Sequence, residues 1–495
     1  MLLFILLILL LIGLTYFILL PLTQKSNELS LKISLTNQAI AFSGLTLFIC
    51  SCLWIVFDKS TPEFQFIINT NYLSVMGIDG ISLFFILLTS LLIFLCILDS
   101  WNHKIAIFKN QEFVVYFLLL ELFLIFSFIT LDLLVFYVFF ESVLIPMFLI
   151  IGIWGSRERK IQADFYFFIY TFLGSILMFF SILILLYETY STNFLILHNT
   201  FFSIEKEFLL WVFSFIGFSV KVPMFPFHLW LPEAHVEAPT GGSVLLAGIL
   251  LKLGGYGYLR IVLPLFPYAS YYFFPLISIF CILSIVYASL TTIRQIDLKR
   301  IIAYSSVAHM NVVLLGLFVC NSNGLQGAIF LMLAHGIVSS ALFFVIGNLY
   351  KRHGTRLLNY YGGLGFRMPL FSCYLLVFCL ANAGTPLTFN FIGELMIFIS
   401  LIDKNFFILL LSATSVVLSI IYTMWFFNRI VFGGLKVNYI KTWSDIDKKE
   451  NFIFFILLFL TLLFGIFPNL ILEYTHTSSN YLYELMQFKL ISMHN

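Results

Sequence analysis

Seven ionisable side chains lie inside long apolar stretches of the sequence, and their types suit proton transfer. They are Glu121, Glu141, Lys221, Lys252, His309, His335 and Glu394. Placing a central Lys or Asp in a membrane helix costs about 2.5 to 3.5 kcal/mol, so such residues persist mainly where they have a partner and a use. The seven residues fall on different apolar stretches and at similar depths, which favours one connected site.

Carboxyl, amino and imidazole groups together can carry a proton through a protein interior. Burial disfavours the charged form of a carboxyl or amino group, and a nearby opposite charge favours it again. A buried Glu–Lys pair can therefore bind or release a proton when its surroundings change. Histidine titrates near neutrality and passes protons through either ring nitrogen. We predict a lateral relay of these residues, ordered as Glu141, Lys221, Lys252, His309 or His335, and Glu394.

Several of these residues also have structural interpretations. Lys221 lies beside Pro223 and could bond to loosened backbone carbonyls or extend to the membrane interface. His309 and His335 could be ordinary hydrogen-bonding residues between helices, and Glu121 could pair locally and do nothing more. We therefore include Glu121 in the relay with less weight than the other residues.

A second cluster of polar residues does not predict a metal site. The stretch HLWLPEAHVEAP carries His228, Glu233, His235 and Glu237. These residues do not follow the H-E-x-x-H spacing, and Pro232 interrupts any helix that could place two of them on one face. The Gly-rich YYGGLGF follows no predicted strand, so it does not indicate nucleotide binding. We expect no metal and no cofactor on this chain.

The elements that must hold the relay are transmembrane helices. Of the 495 residues 61% are hydrophobic and 10% charged, whereas soluble domains carry about 25% charged residues. A net charge near +2 gives no indication of a nucleic-acid partner. Apolar windows of about 20 residues predict an all-α polytopic membrane protein of about fourteen spanning helices. We place them at 1–22, 39–57, 81–99, 113–130, 132–152, 165–187, 208–230, 242–263, 270–292, 300–320, 326–349, 370–400, 406–428 and 451–472. Asp132, at the tight turn between the fourth and fifth, is predicted to cap or turn the chain.

The distribution of basic residues supports this topology. Loops after odd-numbered helices hold 19 of the 26 Lys and Arg residues, and the other loops and the C-terminal tail hold five. The five are Lys59, Lys206, Arg260, Lys404 and Lys489, and only Lys221 and Lys252 are left inside helices. The positive-inside rule then places both termini on the non-cytoplasmic side.

Two of the predicted helices should be broken. The seventh contains VKVPMFPFHLWLP and the twelfth contains NAGTPLTFNFIGE, and proline removes a backbone donor and clashes with the preceding turn. Because the two helices are five apart, helices four to eight and nine to thirteen are predicted to form two inverted five-helix repeats, as in many transporters. We expect three N-terminal helices in 1–110, the repeats in 111–265 and 266–432, and a C-terminal helix and tail in 433–495.

Three long motifs carry a resemblance to a known family. They are FYVFFESVLIPMFLIIGIWG (136–155), FSVKVPMFPFHLWLPEAHVEAPTGGSVLLAGILLKLGGYGYLR (218–260) and TTIRQIDLKRIIAYSSVAHMN (291–311). With them, the chain from about 70 to 430 resembles the chain 4, or chain M, family of antiporter-like subunits of NADH:ubiquinone oxidoreductase, respiratory complex I.

The resemblance implies roles for individual residues. It matches Glu141 in FFESVLIPMF, Lys221 in SVKVP and Lys252 in LLKLGGYG to the family's proton-transfer residues. It also matches His309 in SSVAHMN and His335 in LAHGIVSSALFF to the family's histidines, and Glu394 in FNFIGE to its exit carboxylate. Glu121 is matched less specifically.

The resemblance also implies a setting. The chain would be one proton channel in the membrane arm of complex I, in the mitochondrial inner membrane, in contact with lipid and with chain 2- and chain 5-type neighbours. The chain itself would carry no redox centre, while NADH, FMN, iron–sulfur clusters and ubiquinone would bind to partner subunits. Two alternatives stay open: a secondary cation/proton antiporter of the related multisubunit type, and a mainly structural membrane subunit. Co-purification with an NADH-oxidising assembly separates the first from complex I.

Overall fold

The chain forms α-helices along its apolar stretches because backbone N–H and C=O groups in hydrocarbon must bond within the chain. The structure, a computed structural model, describes residues 2–23, 28–68, 75–100, 107–436 and 444–494. The first six helices are α1 (Leu2–Thr23), α2 (Glu28–Val56), α3 (Gly80–Ser100), α4 (Ile107–Ile129), α5 (Leu133–Trp154) and α6 (Lys160–Thr189). The predicted basic loops near 24–27, 101–106 and 437–443 lie outside the described residues.

The remaining helices enclose the buried ionisable residues. They are α7 (Ile204–Lys221), α8 (Trp230–Glu237), α9 (Thr240–Leu265), α10 (Phe274–Arg294), α11 (Leu298–Phe318), α12 (Ser322–His353), α13 (Pro369–Asn382), α14 (Phe389–Ile402), α15 (Phe406–Val431), α16 (Lys448–Ile466) and α17 (Asn469–His494). Short helical turns lie at Phe194–Leu197, Pro267–Tyr272, Leu358–Tyr360 and Leu364–Arg367. Helices α9, α11 and α12 are almost wholly buried and form the centre of the protein.

Twelve helices within the described residues are long and apolar enough to cross a membrane. The two predicted spans missing from the twelve are the seventh and the twelfth, which the proline motifs predicted to be broken. In the structure α7 ends at Lys221, and α13 and α14 are separate helices with residues 383–388 between them. The polytopic helical class is therefore correct, whereas the count of fourteen, the inverted pairing and the domain bounds stay predictions.

Two short strands interrupt the helical pattern between α2 and α3. Strand β1 (Gln65–Ile68) pairs antiparallel with β2 (Met76–Ile78). The turn after β2 leads directly to Asp79 and the start of α3. The all-α prediction missed this hairpin because its strands are too short to produce a clear alternating pattern.

The prediction of one helix over 451–472 followed by a tail is wrong, because the structure has two helices in this region. Helix α16 ends at Ile466, because Pro468 cannot continue it. A further helix, α17, occupies Asn469–His494 and packs along α3 and α12. It contains Ser, Thr, His and Asn residues, so a search for apolar windows does not find it.

Asp132 takes the predicted capping role. One carboxylate oxygen accepts hydrogen bonds from the backbone N–H groups of Leu134 and Val135, at 3.0 and 3.2 Å, and so caps α5. The other accepts from the Thr192 hydroxyl at 2.7 Å. Asp132 therefore starts α5 and takes no part in the buried series.

Several basic residues counted with the loops are buried. Lys299 at the start of α11 donates to the Ala238 carbonyl at 2.6 Å and to the Ser243 hydroxyl at 3.2 Å. Arg356 is fully buried and faces Glu237 and Asp297 at 3.5 and 3.8 Å. These contacts tie the α8–α9 turn to α11 and to the chain after α12.

Helix α17 approaches the start of α3 very closely. The Ser478 hydroxyl of α17 accepts a hydrogen bond from the Gly80 N–H at 3.2 Å, and a Cβ atom at Gly80 would overlap the Tyr474 carbonyl oxygen. The Tyr474 ring packs edge-on against Trp54 and Phe84, with centroids 6.2 and 6.0 Å apart. The missing side chain at Gly80 thus permits α17 to lie on α3.

Gly80→Ala should loosen α17, because the new methyl group overlaps backbone that cannot move alone. Overpacking of this kind costs about 1 to 3 kcal/mol. Hydrogen exchange of the backbone amides of α17 should be faster than in the unchanged protein. Gly44→Ala is the matched control, since its Cβ would meet the nearest atom, in Phe94, at 3.6 Å. Equal exchange in both variants would contradict the close contact.

Candidate functional site

Lys252 lies at the centre of α9, between two widened helical turns. Residues Leu246–Leu250 and Tyr258–Val262 form π-helical turns on either side of it. Such turns loosen the regular backbone bonding and are frequent at functional sites. The Lys252 ammonium donates to the Ala247 carbonyl, which belongs to the first widened turn. The local backbone therefore supplies one partner for a fully buried cation.

The second partner of Lys252 is a histidine on α12. The Lys252 Nζ lies 2.8 Å from Nδ1 of His335, and both side chains are fully buried. The two helices can approach because glycines face each other: a Cβ at Gly336 would lie 3.0 Å from the Gly248 carbonyl oxygen. Small residues are the usual means of close helix approach in membranes.

The series continues from His335 to Glu394. The His335 and His309 ring centroids are 5.7 Å apart. The Nδ1 atom of His309 lies 3.2 Å from a Glu394 carboxylate oxygen, and its Nε2 lies 3.5 Å from the Tyr422 hydroxyl. Four of the predicted residues, on α9, α12, α11 and α14, are thus in one line of contacts. Tyr422 on α15 is an additional member that has no recognisable sequence motif.

The break between α13 and α14 shapes the site of Glu394. Gly384, in this break, has a φ of 69°, a conformation that favours glycine. A Cβ at Gly384 would lie 2.6 Å from the Glu394 Oε2 atom. The carboxylate is therefore held between His309 on one side and bare backbone on the other.

Lys221 meets α5 at a weak point of that helix. Pro146 has no N–H to bond to Ser142, and the regular helix is interrupted at Val143. The Lys221 ammonium donates to the Phe140 carbonyl at 2.7 Å and lies 3.3 Å from the centroid of the Phe140 ring. A carbonyl contact was one structural interpretation of Lys221, but the carbonyl belongs to a neighbouring helix.

Glu141 is the next residue along α5. Its carboxyl group interacts electrostatically with the Lys221 ammonium and with the Ser175 side chain of α6. Glu141 is also partly exposed on the outer surface of the chain, unlike the other members of the series. It is therefore the member that a neighbouring molecule can reach most directly.

Glu121 lies apart from the other residues. It is fully buried on α4, beside Thr46 and Cys50 of α2, and neither carboxylate oxygen has a hydrogen-bond partner among the described residues. No hydrogen bond or ion pair within the described residues connects it to Glu141 or Lys221. The structure thus separates Glu121 from the rest of the predicted relay.

One gap divides the series into two groups. Lys221 and Glu141 form one group, and Lys252, His335, His309 and Glu394 form the other. No hydrogen bond or ion pair among the described residues joins Lys221 to Lys252, although a Cβ at Gly254 of α9 would lie 3.3 Å from the Lys221 Cβ. The backbones are in contact while the two ammonium groups are not bonded.

His235 is a residue that the sequence did not identify as part of the series. It stacks on Phe343 at 4.7 Å and interacts electrostatically with Lys252 and Lys299. Neither ring nitrogen has a partner within the described residues. Its position lies between the buried Lys299 and the Lys252–His335 contact. The only sequence signal was a histidine next to the proline-rich break, which we considered only as a possible metal ligand.

No group of three or more His, Cys, Asp or Glu residues within the described parts of the chain is arranged to hold a metal ion. His228 packs against Tyr287 at 5.4 Å, away from His235, which stacks on Phe343. The polar stretch around Pro232 thus places its two histidines in different surroundings.

The fold and the buried series define the class, a polytopic helical membrane protein of the transporter type. The family model for the transmembrane region of NADH:quinone oxidoreductases and Mrp antiporters matches residues 130–421. This match covers more than half of the chain. The chain belongs to the NADH:quinone oxidoreductase/Mrp antiporter family.

Curated relatives narrow the similarity within that family. The NADH-ubiquinone oxidoreductase chain 4 of Marchantia polymorpha is 49% identical over 454 residues, which cover 90% of this chain and 91% of the relative. A chain of respiratory complex I from Thermus thermophilus with bound NADH is 26% identical, with a TM-score of 0.85 over 97% of this chain and 99% of that one. A chain of the Mrp complex from Dietzia has a TM-score of 0.83 at 18% identity, over 98% of both, which shows a shared fold.

Gly384→Ala should displace the Glu394 carboxylate from His309. The methyl carbon would lie 2.6 Å from Oε2, closer than van der Waals contact allows, and the left-handed backbone costs an alanine about 1 to 2 kcal/mol in addition. Labelling of Glu394 by dicyclohexylcarbodiimide, measured by mass spectrometry, should rise several-fold.

Gly354→Ala is the control for this change, because Gly354 has the same φ of 69° and nothing within 4 Å of its Cβ position. If both variants label Glu394 like the unchanged protein, Gly384 does not position the carboxylate.

Proposed function

We propose that this chain is a proton-translocating, antiporter-like membrane subunit of NADH:ubiquinone oxidoreductase, respiratory complex I. The observation that carries the proposal is the buried series Lys252–His335–His309–Glu394, in which groups that can bind and release protons follow one another across α9, α12, α11 and α14. In a membrane interior such groups are retained where they have partners and a use. The chain would thus contribute to an H⁺-translocating NADH:ubiquinone reductase as a subunit.

The first step of the proposed relay is electrostatic. A charge change near the partly exposed Glu141 alters its interaction with Lys221, and so the ease with which Lys221 holds a proton. Gly254, which is on the same helix as Lys252, packs against Lys221. A change in the charge of Lys221 therefore occurs on the helix next to the one that carries Lys252. The Lys221 group thereby controls the proton on Lys252 without a direct bond to it.

The second step is transfer along the contacts. Lys252 gives its proton to His335 across 2.8 Å, and His309 hands it to Glu394 across 3.2 Å. Between the two imidazoles, whose centroids are 5.7 Å apart, a small ring movement or a bridging water completes the route. His235, which interacts with both Lys299 and Lys252, would supply protons to Lys252.

The assembly follows from the relatives named NADH-ubiquinone oxidoreductase chain 4. We infer that chain 2- and chain 5-type subunits are the membrane neighbours, and that the partly exposed Glu141 faces one of them or lipid. NADH, FMN, iron–sulfur clusters and ubiquinone would bind to partner subunits. The chain would lie in the mitochondrial inner membrane with its relatives' respiratory complex.

The proposal favours complex I over a free-standing antiporter. Identity near 50% with named chain 4 relatives extends over about nine-tenths of the chain, whereas the likeness to the Mrp chain rests on the fold. Purification of the chain within an NADH-oxidising assembly would support this assignment, and recovery only with cation-antiport subunits would overturn it.

Lys252→Met should abolish most proton translocation by this subunit while leaving the helix packing intact, because Met keeps the volume but has no proton to give. The measurement is protons pumped per NADH oxidised by the assembled complex in vesicles. Lys206→Met is the matched control, since Lys206 forms an exposed ion pair with Glu188 at 2.5 Å. Normal pumping in an assembled Lys252→Met complex would refute the relay.

Glu141→Gln should lower the pumping rate more than Glu121→Gln. Only Glu141 interacts with Lys221, whereas Glu121 lies against α2. The same vesicle assay compares the two variants, which remove the same charge from neighbouring helices. Equal loss in both would show that the route through the first half of the chain differs from the one proposed.

A further inference from the structure

Past Lys252, the same face of α9 carries two more polar side chains towards the end of the helix. Tyr256 follows by four residues and Arg260 by eight, so they lie about one and two turns further along a similar face. At 1.5 Å per residue, Arg260 is about 12 Å from Lys252 along the axis. Lys299 lies beside the start of α9. Tyr256 and Arg260 lie on the other side of Lys252, towards the protein face at the end of α9. Arg260 was counted with the loops in the sequence, but it is inside α9 and only 4% exposed.

Tyr256 fills the first of these turns completely. Its hydroxyl donates to the Phe128 carbonyl at 2.9 Å and accepts from Arg260 Nε at 3.3 Å. The rings of Phe85 and Phe128 pack edge-on against it, at 5.9 and 5.1 Å between centroids. Aromatic rings therefore surround Tyr256, one helical turn past Lys252.

Arg260 is fixed in the second turn by a buried ion pair with Asp79. Its guanidinium carbon also lies 5.0 Å from the ring centroid of Phe64, the residue before β1. Asp79 is only 2% exposed, and its carboxylate accepts a hydrogen bond from the Ser82 N–H at 3.0 Å. The next residue, Gly80, is covered by α17. The pair therefore joins α9, the hairpin, α3 and the C-terminal helix.

The chemistry of these groups differs from that of His335. An imidazole accepts a proton on one nitrogen and releases one from the other, whereas a guanidinium keeps its protons at any pH a protein meets. Arg260 can therefore take no part in a proton relay. A fixed arginine in a narrow path is also a barrier to cations and protons in transport proteins. Asp79 offsets enough of its charge to keep Arg260 inside the membrane.

We propose that Tyr256, Arg260 and Asp79 form an insulating seal. It closes the direct path along α9 from Lys252 to the protein face at the end of that helix, and so directs the proton of Lys252 to His335. The inference rests on the proposed function of Lys252. It assigns to these residues a positioning role, since none of them binds the transferred proton. It also gives a reason for the sideways course of the series across four helices, because Tyr256 and the Arg260–Asp79 pair occupy the turns of α9 beyond Lys252.

The test uses Arg260→Lys in the complete complex, reconstituted in vesicles without NADH. Lysine keeps the charge and the ion pair with Asp79 but can release a proton. With an imposed potassium diffusion potential, proton influx reported by an internal pH dye should rise several-fold. The rise should disappear in the Arg260→Lys, Lys252→Met double variant. An ion pair that only stabilises the fold predicts no rise, because its charge is retained.

Arg352→Lys is the matched control. Arg352 is also largely buried and ion-paired, with Glu450, but lies at the α12–α16 contact. Proton influx into vesicles with the Arg352→Lys complex should equal that with the unchanged complex. If Arg260→Lys does not assemble, the pair Arg260→Gln and Asp79→Asn removes both charges and keeps hydrogen-bonding groups. It should leak in the same Lys252-dependent way.

The outcomes separate this inference from the proposed function. Tight vesicles with assembled Arg260→Lys, while Lys252→Met still stops pumping, would overturn the seal alone. Normal pumping by Lys252→Met would overturn the relay, and the seal with it. A leak that persists in the double variant would also overturn the seal, because the protons would not pass through Lys252.

Discussion

The contact between the Lys252 ammonium and His335 depends on the close approach of α9 and α12 at Gly248 and Gly336. A buried ammonium needs hydrogen-bond partners, and Lys252 has two. One is the Ala247 carbonyl of a widened turn, and the other is the His335 imidazole on α12, whose ring nitrogens can donate or accept a hydrogen bond. The glycine contact between α9 and α12 sets their separation, and the broken helices on each side supply the other charges. Moving either central helix would leave a cation unpaired in hydrocarbon.

The two halves of the series are organised differently. From Lys252 to Glu394, neighbouring groups lie within hydrogen-bond distance, except for the two imidazoles, whose centroids are 5.7 Å apart. These short separations suit transfer of a proton. Between Lys221 and Lys252 the helices touch but the charges do not, which suits control at a distance. In the proposed relay, one group would sense charge and the other would conduct protons, and both pack on α9.

The buried lysines and the helix breaks could be predicted from the sequence. Lys221 and Lys252 stand out because a charge inside an apolar run has few explanations, and the proline motifs correctly indicated where α7 and the α13–α14 region break. Tyr422, His235 and Arg260 were missed because their importance comes from residues packed across helices. Helix α17 was missed because it lies on protein through polar side chains, and hydropathy detects burial in lipid. Glu121 resembled the others in sequence, but α4 turns it towards α2.

The covering of Gly80 by α17 has a consequence for biosynthesis. Ser478 follows Gly80 by 398 residues in the chain, so α3 is synthesised well before the segment that covers it. Until α17 is synthesised, the turn that holds Asp79 lacks the Tyr474 and Ser478 contacts at Gly80. If the proposed seal acts as described, the insulation of Lys252 would be completed only once α17 has been synthesised and packed on α3.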